Sequence, residues 1–208
     1  MDNVLQKQVV EALIFASDVP IAENKISGYV EELTVKRVRE IVEELNSEYN
    51  THKRAIFISH VAGGYQIITR KEFSPWIKNM FKGRSKPRLS QASLETLAIV
   101  AFKQPVSRTE IDAIRGVHSG GVLKNLLERN LISIAGRSEE VGKPLLYATS
   151  KEFLRYFGIN DISDLPKPRE LEEIMGKLDN SDGFSEEIID ALTELESAQE
   201  EEQNGSPE

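Results

Sequence analysis

The 208-residue sequence contains no cysteine. That excludes disulfide frameworks, thiol nucleophiles and cysteine-ligated zinc together, and it fits a reducing compartment. There are three histidines, His52, His60 and His118. None lies within four residues of another, so the close His pairs of many metal sites are missing. No apolar run approaches the roughly 18–20 residues that span a bilayer. Met1-Asp2-Asn3-Val4 lacks the basic segment of a secretion signal. The expected location is therefore the cytoplasm, with no membrane partner. No Gly-x-Ser-x-Gly elbow is present. The nearest phosphate-loop pattern, Gly136 to Pro144, puts five residues between its glycines where the loop has four. It also places Pro144 where Ser or Thr would hold magnesium. The expectation is a non-enzyme with no catalytic residue, no cofactor and no metal.

What the sequence has is charge, 29% of residues against 39% hydrophobic. The length allows one large domain or two to three small ones. The net charge of −8 is uneven. Residues 1–81 carry 10 Lys+Arg against 11 Asp+Glu, residues 82–160 carry 13 against 7, and residues 161–208 carry 3 against 16. A basic middle and a strongly acidic end point to nucleic-acid or protein partners, or to a solubilising tail.

Residues 4–17 predict a helix that is apolar nearly all round, with Val9, Leu13 and Ala16 on one stripe and Val10, Ala12, Ile14 and Phe15 broadening it. Such a helix is buried on more than one side, by its own core and by an oligomer contact. A short helix from Glu23 to Val30 follows. Thr34 is a candidate N-cap for a cleanly amphipathic helix through Val38, Ile41, Val42 and Leu45. Ile56–Val61, Gly63-Gly64 and Tyr65–Thr69 predict a hairpin. A helix then starts near Phe73 or Ser74, with Pro75 in its first turn. Residues 83–87 are basic and apolar-poor, a linker.

The order then repeats. Helices are predicted at Ser93–Lys103, Thr109–Arg115 and Ser119–Arg129, strands at Leu131–Ala135 and Leu145–Thr149, and a last helix at Phe153–Phe157. Pro20-Ile21 corresponds to Pro105-Val106 at an offset of 85, and Thr69–Phe73 to Thr149–Phe153 at an offset of 80. Internal repetition fixes architecture. The predicted fold class is mainly α with small β-hairpins (α+β): tandem winged-helix domains followed by an acidic, largely disordered tail. The boundaries are 1–82, a linker at 83–87, 88–160, and an extension at 161–208. A single larger α+β domain is the rival. In the extension, Leu171, Ile174, Met175 and Leu178 allow one short amphipathic helix. Ile188, Leu192 and Leu195 keep helical spacing that suits docking, within a stretch too poor in apolar surface to fold alone.

A winged helix invites a DNA reading, but these third helices read poorly. Lys124, Asn125, Glu128 and Arg129 mix signs, and Lys36, Arg37 and Arg39 sit beside Glu40, Glu43 and Glu44. Carboxylates there repel phosphate. The densest cations are Arg84, Lys86 and Arg88 in the linker. Ser119-Gly120-Gly121 opens a helix either as an anion-binding start or as an N-cap followed by small packing residues.

Residues 89–166 carry a specific resemblance. It runs through Leu89–Val106, Ser107–Ile111, Ile114–Val117, Val122-Leu123, Leu126–Arg129, Leu131-Ile132, Gly136-Arg137 and Gly142–Pro144. It continues through Tyr147, Thr149, Phe153-Leu154, Tyr156–Gly158 and Asp164–Pro166. The string resembles the segregation and condensation protein B (ScpB) family of SMC–kleisin accessory subunits. Val10–Ala16 and Gly63–Gln66 carry a weaker likeness in the first half. One departure is Asn130, where the family often has glycine; Asn is the next most tolerant residue in a left-handed helix end.

The resemblance implies a homodimer formed largely through residues 1–82, and kleisin (ScpA) binding, assigned here to residues 88–160. It implies no catalysis of its own, and a link to the SMC ATPase through the kleisin. The implied role is chromosome condensation and segregation during cell division, in the cytoplasm at the nucleoid, with indirect or weak DNA contact. The residues offered for these contacts are Val9, Leu13 and Phe15 for the core or dimer interface, and Arg115 and Arg129 for the kleisin, at the rims of apolar faces. The alternative is a dimeric winged-helix DNA-binding transcription regulator.

Overall fold

The structure, a computed structural model, describes residues 2–81 and 89–165. The described residues divide into two compact units, residues 2–81 with 158–161, and residues 89–157 with 162–165. The linker at 83–87, its cations Arg84, Lys86 and Arg88, and every expectation beyond residue 165 lie outside the described residues.

The first unit runs α1 (Asn3–Ala16), α2 (Glu23–Tyr29), α3 (Val35–Thr51), β1 (Ile56–Val61), β2 (Gly64–Thr69), a 3-10 turn at Lys71–Phe73 and α4 (Ser74–Met80). The Asp2 carboxylate accepts the Leu5 N–H at 2.7 Å and starts α1. The Thr34 hydroxyl accepts the Arg37 N–H at 3.2 Å and starts α3. Both side chains relieve amides that a helix start leaves unpaired. Helix α3 buries Val38, Ile41, Val42, Leu45 and Tyr49, one stripe at helical spacing. That stripe joins Val10 and Ile14 of α1, Ile26 of α2, and Ile58 and Tyr65 of the hairpin in one core. Ala62 and Gly63 turn the hairpin with φ of 51° and 73°, the left-handed pair that a two-residue loop needs.

The second unit repeats the plan with α5 (Gln91–Lys103), β3 (Val106–Ser107), α6 (Arg108–Arg115), α7 (Gly120–Glu128), β4 (Ile132–Arg137), β5 (Leu145–Thr149) and α8 (Lys151–Phe157). Its core holds Leu97, Ile99, Val100, Val106, Ile111, Leu123, Leu126, Leu131, Tyr147 and Phe153. The all-round apolar character of α5 is used here, since Thr96, Leu97, Ile99, Val100 and Ala101 are all buried. Ser107 and Glu110 form a capping box, with bonds of 3.3 Å and 2.7 Å, so α6 starts at Arg108. Ser90 caps α5, which therefore begins at Gln91, two residues before the sequence expectation. The described residues are mainly helical, with two small antiparallel sheets.

A strand contact missed in the sequence completes each sheet. β3 adds to the hairpin in the order β3-β5-β4, pairing Val106 with Tyr147. In the first unit Ile21 pairs with Tyr65 at the same point of the plan. Neither contact is long enough to show a period of two in sequence. β4 also runs to Arg137, past its expected end at Ala135, because a register shift between Ile134 and Gly136 carries the pairing onward.

The helix before the hairpin ends alike in both units. After α3, Lys53 takes φ 49°, while Arg54 N–H bonds the Tyr49 carbonyl and Lys53 N–H the Asn50 carbonyl. After α7, Asn130 takes φ 59°, while Leu131 N–H bonds Leu126 and Asn130 N–H bonds Leu127. This paired arrangement places a left-handed residue where glycine is favoured. Asn tolerates it; Lys carries the steric cost of its Cβ. Exposed Lys53 replaced by glycine (Lys53→Gly) is therefore expected to stabilise the protein by about 0.5–1 kcal/mol, read as a higher urea midpoint. A second expectation concerns Gly64. A Cβ there would lie 2.7 Å from the Ile21 carbonyl carbon and 2.9 Å from its nitrogen and oxygen. Backbone cannot yield as a side-chain tip can, so Gly64→Ala should destabilise by about 1–3 kcal/mol. An unchanged melting temperature would refute the close approach.

Candidate partner interface

The first unit fixes α1 to α3 through charge. Lys7 Nζ lies 2.8 Å from Glu44 and 2.7 Å from Glu48, and Arg37 lies 2.8 Å from Glu44 and 3.2 Å from Glu40. The hydrogen bonds to Glu44 and Glu48 push the Lys7 amine above its ordinary range. Arg39 reaches Glu23 of α2 at 2.7 Å, and the Tyr65 hydroxyl donates to the same carboxylate at 3.0 Å. The Arg39 hydrogen bond holds Glu23 below the ordinary carboxylate range. Burial first and the Glu23 hydrogen bond second push the Tyr65 phenol up to about 12. Tyr49 donates in turn to Glu11 of α1. Two of the cations on the third helix are thus committed to carboxylates of their own unit.

With that charge inside the fold, α1 keeps one face for the core and one for solvent. Val10 and Ile14 are buried, and Val9 and Leu13 pack partly buried against the same core. Phe15 points away and is 76% exposed. Leu5 is exposed with it, and 5, 8, 12 and 15 follow one helical stripe; Val19 is exposed beyond Ser17, where α1 has already ended in extended backbone. Of the three residues expected at the core or dimer contact, Val9 and Leu13 lie on the core side and Phe15 on the outer side.

In the second unit Arg115 and Arg129 separate. The Arg115 side chain is only 6% exposed. Its guanidinium pairs with Glu95 of α5 at 3.1 Å and donates to the Ser119 hydroxyl at 3.0 Å. This corrects the expectation of a rim residue: α6 turns Arg115 inward, where it ties α5, α6 and the start of α7 together. Ser119 is fully buried and does not cap α7 with its side chain. Instead its N–H donates to the Asp112 carboxylate at 2.6 Å. Partial desolvation raises the Asp112 carboxyl, but the Ser119 and His118 hydrogen bonds outweigh it and hold the group below its usual range. An internal carboxylate therefore occupies the helix start that the sequence offered to an external anion.

Arg129 lies at an open groove of about 300 Å³ between the N-terminal end of α5 and the outer face of α7, lined by Leu89, Ser90, Ser93, Gly121, Val122, Asn125 and Arg129. Arg129 Nε donates to Asn125 Oδ1 at 3.0 Å, which sets the guanidinium along the helix. Val122, half-buried, lines this groove. A Cβ on Gly121 would meet nothing within 4 Å, so its small size keeps the groove open without a packing role. The surface offers apolar contact with a cation at its edge, which suits an amphipathic peptide segment. Among the described residues, no group of three or more His, Asp or Glu side chains is placed to hold a metal ion. No described helix is long and apolar enough to cross a membrane.

The sequence missed the groove because its walls, residues 89–93 and 121–129, meet only when α5 crosses α7. It missed the Glu95–Arg115 pair for the same reason. Removing Arg115 leaves Glu95 with an unmatched charge in a largely dry site. Arg115→Ala is expected to cost about 3–5 kcal/mol, and Arg115→Glu more. Chemical denaturation of both variants checks this, and a loss below about 1 kcal/mol would return Arg115 to the surface.

The family model for segregation and condensation complex subunit ScpB matches residues 8–168. The segregation and condensation protein B of Syntrophotalea carbinolica is 42% identical over 174 residues, covering 84% of this chain and 87% of that protein. The crystal structure of ScpB from Mycobacterium tuberculosis aligns at 31% identity and a TM-score of 0.38, covering 77% of this chain and 99% of that one. A crystal structure of a dimer of the ScpB N-terminal domain with a ScpA peptide aligns at 27% identity and a TM-score of 0.34, over 37% of this chain and 95% of that one.

Proposed function

The chain belongs to the segregation and condensation complex subunit ScpB family, and from that premise we propose that it is a non-catalytic accessory subunit. It acts as a homodimer that binds the kleisin ScpA of an SMC condensin-like complex, and so supports chromosome condensation and segregation at the nucleoid, in the cytoplasm. The SMC ATPase is reached through the kleisin. The first unit supplies the dimer contact, with the Phe15 face of α1 outermost. The second unit supplies the kleisin contact at the Val122–Arg129 groove. Arg115 supports that groove from within the fold.

One observation carries this reading over the DNA-binding regulator. Arg37 and Arg39, on the helix that would read bases in the first unit, are paired with Glu40, Glu44 and Glu23. The start of α7, which would meet a phosphate in the second, is taken by Asp112. A reading helix must offer free donors to base edges and cations to phosphate. Here α1 exposes Val4, Leu5 and Phe15, and the α5–α7 groove sets Leu89 and Val122 among Ser90, Ser93, Asn125 and Arg129, a mixed surface that favours protein partners.

Size-exclusion chromatography with light scattering tests the role, first on the protein alone and then with ScpA from the same genome. A dimer that shifts into a stable larger species is the expected result. A dimer that ignores ScpA but binds duplex DNA with a steep salt dependence would favour the regulator. Arg129→Glu and Val122→Glu should each weaken ScpA binding by roughly tenfold or more, as anchor residues of an interface do, with the unfolding midpoint little changed. Unaltered affinity in both would move the contact elsewhere.

A further inference from the structure

Helix α4 is built unlike any other described helix of the first unit: none of its residues is buried. Yet it is rich in apolar side chains. Trp76 is 69% exposed, Met80 68%, and the following Phe81 49%. Phe73 and Trp76 stand with ring centroids 6.4 Å apart at the start of the stripe. A seven-residue helix has little stability of its own in water, and a contiguous apolar surface with a central tryptophan is the kind that a partner covers. Around it the charge is mainly positive. Lys71 and Lys78 are exposed, with Glu72 the single carboxylate between residues 70 and 81. Arg70 is held in place by the Arg54 carbonyl and the Asn50 side chain.

We propose that α4 is a docking site for residues 184–195 of the chain's own acidic C-terminal segment. The complementarity is chemical and specific. Phe184, Ile188, Leu192 and Leu195 recur at the spacing of one helical face, and Glu186, Glu187, Asp190 and Glu194 flank them. No Lys or Arg follows Lys177, so the whole segment is opposite in sign to Lys71 and Lys78. Its tether begins on the unit that carries α4. Gly158–Asp161 belong to the first unit, where the Ile159 carbonyl accepts the Ala62 N–H at 2.9 Å. The 22 residues from 162 to 183 then separate that anchor from Phe184, a span of roughly 25 Å for a flexible chain and more when extended. The segment is too polar to fold alone, and docking supplies the apolar contact it lacks. This inference does not depend on the kleisin-binding role.

Trp76 is the only tryptophan in the protein, so its emission reports the patch directly. In the full chain, Ile188→Ser with Leu192→Ser should shift Trp76 emission to the red and make it more accessible to acrylamide. Lys71→Glu with Lys78→Glu should act in the same direction. A synthetic peptide of residues 183–198 added to the Ile188→Ser, Leu192→Ser chain should restore the blue emission, less so in high salt. Emission that is blue and unmoved by the tail substitutions, but reddens on dilution, would overturn the proposal and assign the patch to a second copy. Emission that is red in every form would overturn it as well, since nothing would then cover α4.

Discussion

Ile21 and Tyr65 exchange two backbone hydrogen bonds, of 3.0 Å and 2.9 Å, and this pair joins the segment between α1 and α2 to the hairpin, which Asn46 of α3 also holds through the Ile58 backbone. Much of the unit is arranged around it. The pair forms only because Gly64 lets the Ile21 backbone come close. It holds Tyr65 in the core, where its ring stands 5.1 Å from His60 and its hydroxyl reaches Glu23. Glu23 in turn holds Arg39, so a backbone contact between distant residues sets the charge pattern between α2 and α3. The second unit uses the same device at Val106 and Tyr147, there extended into a two-residue strand. A three-helix layer and a hairpin are each marginal alone. The cross-pair makes them one cooperative body.

That constraint has a consequence for the surface. Once α3 is pinned, Lys7, Arg37 and Arg39 find their partners within the unit. Once α6 is pinned by its capping box, Arg115 swings beneath α7 and Asp112 meets the Ser119 amide. Exposed ion pairs of the first kind contribute little to stability each. Their larger effect is to remove cations from the faces that a DNA-binding winged helix would present. The pair of Arg115 and Glu95 is different in kind, because both side chains are largely shielded and each exists to neutralise the other.

The element order was legible in the sequence because apolar periodicity marks the longer helices and Thr34 caps α3 with its side chain; the caps Asp2, Ser90 and Ser107 were not read, and the expected starts of α5 and α6 fell late. The amphipathic stripe of α3 was legible, and so was the hairpin, whose turn lies at Ala62-Gly63, one residue before the expected Gly63-Gly64. What was not legible depends on contacts between distant segments. Val106-Ser107 is too short to carry a strand signal. Arg115 lies on a strongly amphipathic helix end, and only the position of Glu95 shows that it faces inward. The broad apolar character of α1 and α5 looks alike in sequence, yet α5 buries its several faces while α1 leaves Val4, Leu5 and Phe15 outside. Periodicity measures how much of a helix is apolar; it does not measure how much surrounding protein is available to cover it.

The distribution of that uncovered surface argues for what kind of protein this is. A small winged-helix unit has one core and can satisfy one stripe per helix. α1 carries a second stripe, α4 buries nothing, and the α5–α7 groove holds Val122 and Leu89 at its walls. Each such surface costs solubility if left bare. The three differ in chemistry: α1 is aliphatic with one phenylalanine, α4 is aromatic and edged by lysine, and the groove is small and carries an arginine. A single ligand would not call for three chemistries. Distinct occupants would, as on a subunit that holds several segments of chain at once.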